Sequence, residues 1–230
     1  MEKANLIIFP HAGGGILYYN KWRVLLSKKF NVTIIQYPMR EQKMNQHMPE
    51  SLEILAEDIF SEYESLFNDK CIIWGHSMGS FVAYEVLKLM EGYLDVFPKR
   101  FYSSGAAAPC SVREDLSKKV NNKEEFFELL KSFGGIDFTL LSDEDFVEAF
   151  LPTIKVDMIL VSQYTDKCIR RIKCPIVLME GTEDKCDISQ WIMYAENSLK
   201  TVYFKGNHFF IEENVSEVIK ILERGIEDEI

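Results

Sequence analysis

Apolar positions along the chain follow two rhythms. Short runs rich in Val, Ile and aromatics at Asn5–Phe9, Asn31–Tyr37, Lys70–Trp74, Arg100–Gly105, Pro175–Met179 and Thr201–Phe204 have the make-up of buried strands. Between most of them, apolar residues recur at spacings of three and four. That spacing predicts helices over Leu17–Lys28, Ser51–Phe67, Met78–Met90, Ser189–Asn197 and Glu213–Arg224. Strand alternating with helix implies an α/β protein with a mostly parallel sheet and helices on both faces.

The alternation lapses between Cys110 and Lys173. Glu124–Phe133, Ser142–Phe150 and Thr153–Tyr164 read as consecutive helices with no strand between them. We read this as a helical insertion, residues 111–165, within a single domain spanning 1–230. Its economical place is a lid over the end of the sheet that carries function, because ligands of open α/β sheets sit there. A helical extension that only adds core is the plainer alternative.

Composition enters mainly by exclusion. With 230 residues, 47% of them hydrophobic, the chain can build one substantial core. The 26 basic residues are outnumbered by 36 acidic ones, and a net charge of −10 would oppose a phosphate-driven grip on nucleic acid. Five cysteines (Cys71, Cys110, Cys168, Cys174, Cys186) form no CxxC pair and the four histidines are scattered, so neither a disulfide framework nor a metal site is expected. No basic-then-apolar leader opens the chain and no apolar run reaches spanning length, so a cytoplasmic protein without membrane association is expected.

The first chemical signal is Gly75-His76-Ser77-Met78-Gly79, a GxSxG pattern between a strand-like run and an amphipathic helix. That context is the nucleophile elbow of an α/β-hydrolase fold, in which the central serine is held in a strained conformation and the flanking glycines let strand and helix approach. Ser77 is the expected nucleophile. The N–H of Met78 at the helix start would then be one oxyanion donor. An ordinary glycine-rich turn is the unremarkable reading of the same residues.

The first strand runs into Pro10-His11-Ala12-Gly13-Gly14-Gly15, a turn of the sort that frees backbone N–H groups, and Ala12 N–H is the expected second donor. A phosphate loop is the rival, but the segment lacks both a GK[ST] ending and a GxGxxG pattern. The general base follows by elimination. His76 adjoins the nucleophile with its ring expected to point away, His11 lies in the oxyanion loop, and His47 follows no strand. His208, after the last strand and before the last helix, stands where the Ser, acid, His order puts the base. The acid should follow the preceding strand, where Asp184 is the preferred residue and Glu183 and Asp187 are alternatives.

These residues resemble the type II thioesterases that accompany nonribosomal peptide and polyketide synthases, over nearly the whole chain. The resemblance rests on Phe9-Pro10-His11-Ala12-Gly13-Gly14-Gly15 with Tyr19 and Trp22, the elbow, Gly181-Thr182-Glu183-Asp184 and Gly206-Asn207-His208-Phe209-Phe210. In the insertion, Glu124-Glu125-Phe126, Gly134-Gly135 and Leu151-Pro152-Thr153-Ile154-Lys155-Val156-Asp157 are similar to the family's lid segments. The resemblance implies Ser77, Asp184 and His208 as a triad and Ala12 and Met78 as oxyanion donors. It implies no cofactor, and as substrate an acyl group on the phosphopantetheine arm of a peptidyl or acyl carrier protein. One departure stands out: Met39 occupies a position where the family usually has glycine.

Two other readings remain at this stage, an esterase or lipase acting on small free substrates and a non-catalytic binding protein of the same fold. An intact Ser, acid and His in the right order speaks against the second. Carrier proteins are commonly acidic, so docking on a chain of net charge −10 calls for a local patch. Lys118, Lys119 and Lys123, with nearby apolar residues, are the candidates.

Overall fold

Six strands form a single sheet in which every pairing is parallel. They are β1 (Ala4–Phe9), β2 (Phe30–Ile34), β3 (Cys71–His76), β4 (Arg100–Ser104), β5 (Ile176–Gly181) and β6 (Leu199–Phe204). The computed structural model describes residues 3–111, 114–135, 139 and 142–226. Strand order is β2-β1-β3-β4-β5-β6, so the chain leaves β1 toward one edge and returns on its other side. Strands β3, β4 and β5 are buried along their whole length, as a sheet covered on both faces requires.

One face packs on α2 (Leu52–Tyr63) and α3 (Met78–Leu89), where Leu55, Ile59, Val82 and Val86 meet Ile7, Ile73 and Leu178. The other packs on α1 (Ile16–Leu26) and, near the C-terminus, on α8 (Val215–Arg224), which follows the short α7 (Phe210–Glu213). There Trp22, Leu26, Val218 and Leu222 meet Leu6, Trp74 and Val177. Alternate residues of each strand thus serve two cores, the period-two consequence of a pleated backbone.

Between β4 and β5 the chain forms α4 (Glu114–Asn121), α5 (Lys123–Phe133) and α6 (Glu144–Gln163). They share a small core of their own, built on Val120, Phe126, Leu130, Ile154 and Met158. The helical insertion is therefore present, with an additional helix at its start. Asn122 and Asp143 cap α5 and α6, accepting from the N–H groups of Glu124, Glu125 and Phe146. At the far end, the Tyr164 hydroxyl donates to Glu85 of α3 at 2.5 Å and ties the insertion back to the sheet layer.

Several elements depart from the periodicity. The two helices expected over Ser142–Phe150 and Thr153–Tyr164 are one continuous helix that carries Pro152 inside it. Proline there forfeits a backbone hydrogen bond, a cost of about 3 kcal/mol. Continuity is favoured by the buried residues beyond it, Ile154, Asp157, Met158 and Leu160. The helix expected over Ser189–Asn197 is only a 3₁₀ turn, Ser189–Met193, since Ala195 leaves it to bridge Ile172. Strand β2 stops at Ile34, three residues early, although the Ile35 N–H still donates to Ile8 O at 2.8 Å.

Candidate active site

The crevice where strand order reverses lies between the C-terminal ends of β1 and β3, where Phe9, the last residue of β1, is the register partner of Gly75, the next to last of β3. Two segments emerge there side by side, Pro10–Gly15 from β1 and Ser77 from β3. Ser77 has φ 53° and ψ −120°, the strained backbone of an elbow. Its N–H donates to Ser104 O at 2.7 Å, and its carbonyl accepts from the Ser80 N–H at 2.9 Å. A Cβ on Gly79 would overlap the Phe9 carbonyl, and one on Gly75 would overlap the backbone of Gly79 and Ser80. Only glycine at both positions lets the elbow close.

His208, after β6, approaches from the other side. Its Nδ1 is paired with Asp184 Oδ2 at 2.7 Å, and both side chains are about nine-tenths buried. Of the three carboxylates open at the level of sequence, Asp184 is the one on the imidazole. Glu183 is exposed, and Asp187 accepts from the Ser189 N–H. Burial works against the ionised Asp184, but the hydrogen bond and charge of His208 outweigh it and hold the carboxyl below its usual range.

Two further histidines pack beside this pair. His76 hydrogen-bonds Ser104 Oγ through Nδ1 at 2.9 Å, and its ring centroid lies 5.3 Å from that of His208. The His11 Nδ1 is 2.9 Å from the Tyr19 hydroxyl. Burial, helped by the charge of His208, lowers both, His76 well below and His11 to about 3, so these rings stay neutral. Gly105, at φ 56°, leaves just enough room for His76 and His208, since a Cβ there would lie 3.0 Å and 3.3 Å from their rings.

One neighbour was not foreseen. Glu180, the next-to-last residue of β5 and just before the loop that carries Asp184, is buried with neither oxygen in a well-formed hydrogen bond. Burial, reinforced by the negative charge of Asp184, pushes its carboxyl up to about 9. It therefore sits neutral beside an ionised partner.

The segment expected to supply the second oxyanion donor is a tight turn in which Gly14 N–H donates to His11 O at 2.8 Å, with Ala12 and Gly13 at its corner. Gly13, at φ 78°, takes the left-handed position that a type II turn requires. Among the described residues no partner is recorded for the N–H of Ala12, and Met78 is the first residue of α3, where helix N–H groups lack intrahelical partners. Met39 has φ 63°, in the left-handed region that favours glycine.

Ser77, His208, Ala12 and Gly13 open into one cavity of about 500 Å³. The insertion supplies much of its wall through Leu116, Leu130, Phe133, Phe146, Ile154 and Met158. Phe133 lies 4.8 Å from the His208 ring, and Gly134-Gly135 abut Asn207 and Phe209 so closely that a Cβ on either would collide. Leu17, Met44 and Phe150 line the same cavity yet remain exposed, forming an apolar rim. Lys118, Lys119 and Lys123 are exposed on α4 and at the start of α5. Among the described residues no group of His, Cys, Asp and Glu is placed to hold a metal ion, and no helix is long and apolar enough to cross a membrane.

The thioesterase domain family matches residues 4–226. Among curated relatives, the thioesterase PikA5 of Streptomyces venezuelae is 24% identical over 93% of this chain and 77% of its own length. The gramicidin S biosynthesis protein GrsT of Aneurinibacillus migulanus is 25% identical over 96% of this chain and 88% of its own. Among solved structures, ClbQ from the colibactin NRPS/PKS pathway superposes with a TM-score of 0.87 at 23% identity, covering 99% of this chain and 98% of that one.

Proposed function

We propose, from the premise that this chain belongs to the thioesterase domain family, that it hydrolyses acyl thioesters carried on the phosphopantetheine arm of carrier proteins. Ser77 is the nucleophile, His208 the general base and Asp184 the group that orients and charge-balances the imidazole. The observation that carries this reading is that His208 of the 2.7 Å Asp184–His208 pair and a strained elbow serine line one cavity. Relatives named for gramicidin S biosynthesis and for the colibactin NRPS/PKS pathway support a place beside such synthases, releasing stalled or wrongly loaded acyl groups.

The geometry suits a two-step reaction. His208 Nε2 takes the Ser77 proton as Oγ attacks the thioester carbonyl, and the tetrahedral oxyanion is met by the N–H groups of Ala12 and Met78. Collapse breaks the C–S bond, and the imidazolium returns its proton to the leaving thiolate. Water, activated by the same imidazole, then releases the acid from Ser77. Because Nδ1 is committed to Asp184, Nε2 is left to exchange this proton. The neutral state of His11 and His76 keeps two further positive charges away from the imidazolium. A cavity walled mainly by apolar side chains favours an uncharged acyl chain.

The test is a side-by-side hydrolysis assay on acyl carrier protein, acyl-coenzyme A and a simple ester bearing the same acyl group. Highest kcat/KM on the carrier-bound thioester is expected. Equal rates on all three, or preference for the ester, would replace carrier-bound acyl groups by small free substrates on the same triad.

A further inference from the structure

The only buried ion pair that joins the insertion to the sheet domain among the described residues is Arg40–Asp157. It has a consequence for the site proposed above. Asp157 is fully buried on α6, in the otherwise apolar stretch Val156–Leu160. Arg40 Nη2 donates to its two oxygens at 2.7 and 2.8 Å. The remaining contact of Asp157 is with the oxyanion turn, where the Gly13 N–H donates to Oδ2 at 2.7 Å. Arg40 reaches the same turn, donating through Nη1 to Gly14 O at 2.7 Å, while its Nε donates to Pro38 O. The helix is pressed hard against this point, since a Cβ on Gly13 would strike Ile154.

In a turn closed from Gly14 to His11, the corner residues Ala12 and Gly13 both have N–H groups outside the turn's own hydrogen bond. Asp157 takes one of them. We infer that Asp157, held by Arg40, is a positioning residue of the oxyanion turn: by binding the Gly13 N–H it fixes the central Ala12–Gly13 peptide of the turn, and with it the direction of the adjoining Ala12 N–H, so the hole is assembled only when α6 is seated. This rests on the proposed role of Ala12 as an oxyanion donor. It makes the insertion a structural part of the catalytic machinery as well as a wall of the cavity.

Removing one member of a buried ion pair destabilises a protein whatever the pair's function, whereas replacing both members by neutral groups need not. The decisive comparison is therefore between two double variants. R40M/D157N is a neutral pair that keeps a side-chain oxygen for the Gly13 N–H, and R40M/D157L is a neutral pair that does not. Hydrolysis of an acyl-pantetheine thioester should be followed with kcat normalised to the fraction labelled by a serine-directed phosphonate, together with Ki for a trifluoromethyl ketone analogue of the same acyl group. R40M/D157N, which keeps the acceptor but loses the hold of Arg40, is expected to fall below wild type yet to retain at least about tenfold more kcat than R40M/D157L. R40M/D157L is expected to lose about 100-fold in kcat, the scale for a displaced catalytic group and the lower end for a lost donor, with KM little changed and ketone affinity reduced by a similar factor. Equal kcat in the two double variants would overturn the inference.

A measurement on the wild-type protein does not depend on any variant folding. The Gly13 amide should exchange its hydrogen about as slowly as amides of β3, and exchange at the rate of an open loop would also overturn the inference. Failure of the underlying reading looks different, because the wild type itself would then neither hydrolyse the thioester nor bind the ketone.

Discussion

At the scale of single residues, the site is a set of groups whose ionisation is decided by what surrounds them. Asp184 is ionised because His208 lies on it, and Glu180, four residues earlier, is neutral because it is buried beside that charge. Asp184→Asn keeps the shape but favours the wrong imidazole tautomer, so kcat should fall by roughly 10³–10⁴ with KM little altered. Steady-state kinetics would show this, and near-normal turnover would move the acid's role to another carboxylate. Glu180 gives a stability prediction whose sign follows from its raised value. A carboxyl raised from 4.5 to about 9 by folding binds its proton more tightly in the native state, so its contribution is complete at low pH and is lost as pH climbs toward 9. Glu180→Gln cannot ionise, so its melting temperature relative to wild type should rise progressively between pH 5 and pH 9. A difference independent of pH would show that Glu180 is not held neutral.

At the scale of elements, the site exists because β1 and β3 end side by side and deliver two loops into one crevice. That closeness depends on Gly79, and Gly79→Ala should cost about 3 kcal/mol or more through overlap with the Phe9 carbonyl, read as a fall in the denaturant midpoint. Much of this arrangement is legible in the sequence. The parallel sheet, the strand–turn–helix context of Ser77 and the insertion follow from periodicity, since buried strands and amphipathic helices leave distinct apolar patterns. Less legible are features decided by distant contacts. Pro152 suggests a helix boundary, yet tertiary burial carries α6 through it. The spacing of Trp191, Tyr194 and Ala195 suits a helix equally well as the short 3₁₀ turn that forms, where the Trp191 indole N–H is committed to Ala106 O. Arg40 and Asp157 lie 117 positions apart, and the one hint of their pairing is a lone carboxylate in an apolar helical stretch. Glu180 leaves no such hint, because a carboxylate at a strand end ordinarily faces water.

The insertion as an element carries its own expectation. Its C-terminal half is tied down through Asp157 and Tyr164, whereas α4 and α5 rest mainly on one another and on α6. Hydrogen exchange should therefore find α4 and α5 opening well before β3, with Ile154–Leu160 protected more strongly than either. Protection of α4 and α5 equal to that of β3 would describe a rigid cap and remove any gating of the cavity by these helices.

At the scale of the whole molecule, a chain of net charge −10 must receive a partner that is itself acidic under the proposed function. The apolar rim of Leu17, Met44 and Phe150 around the cavity mouth and the exposed Lys118, Lys119 and Lys123 are the local features that counter the overall repulsion. If the lysines make the contact, kcat/KM for a carrier-bound acyl group should fall with added salt while that for acyl-pantetheine stays nearly constant. If the rim makes it, the carrier preference should persist across salt concentrations. Equal kcat/KM for the two substrates at every ionic strength would exclude carrier docking. All of these expectations presuppose that the acyl group passes through Ser77. The most direct measurement is rapid quenching of the protein with an acyl-phosphopantetheinyl carrier, followed by mass analysis of the peptide that contains Ser77. An acyl ester on Ser77 in the wild type, with neither adduct nor thiol release in Ser77→Ala, is the predicted result. Thiol release by Ser77→Ala at the wild-type rate, or an acyl adduct on another residue, would contradict the account.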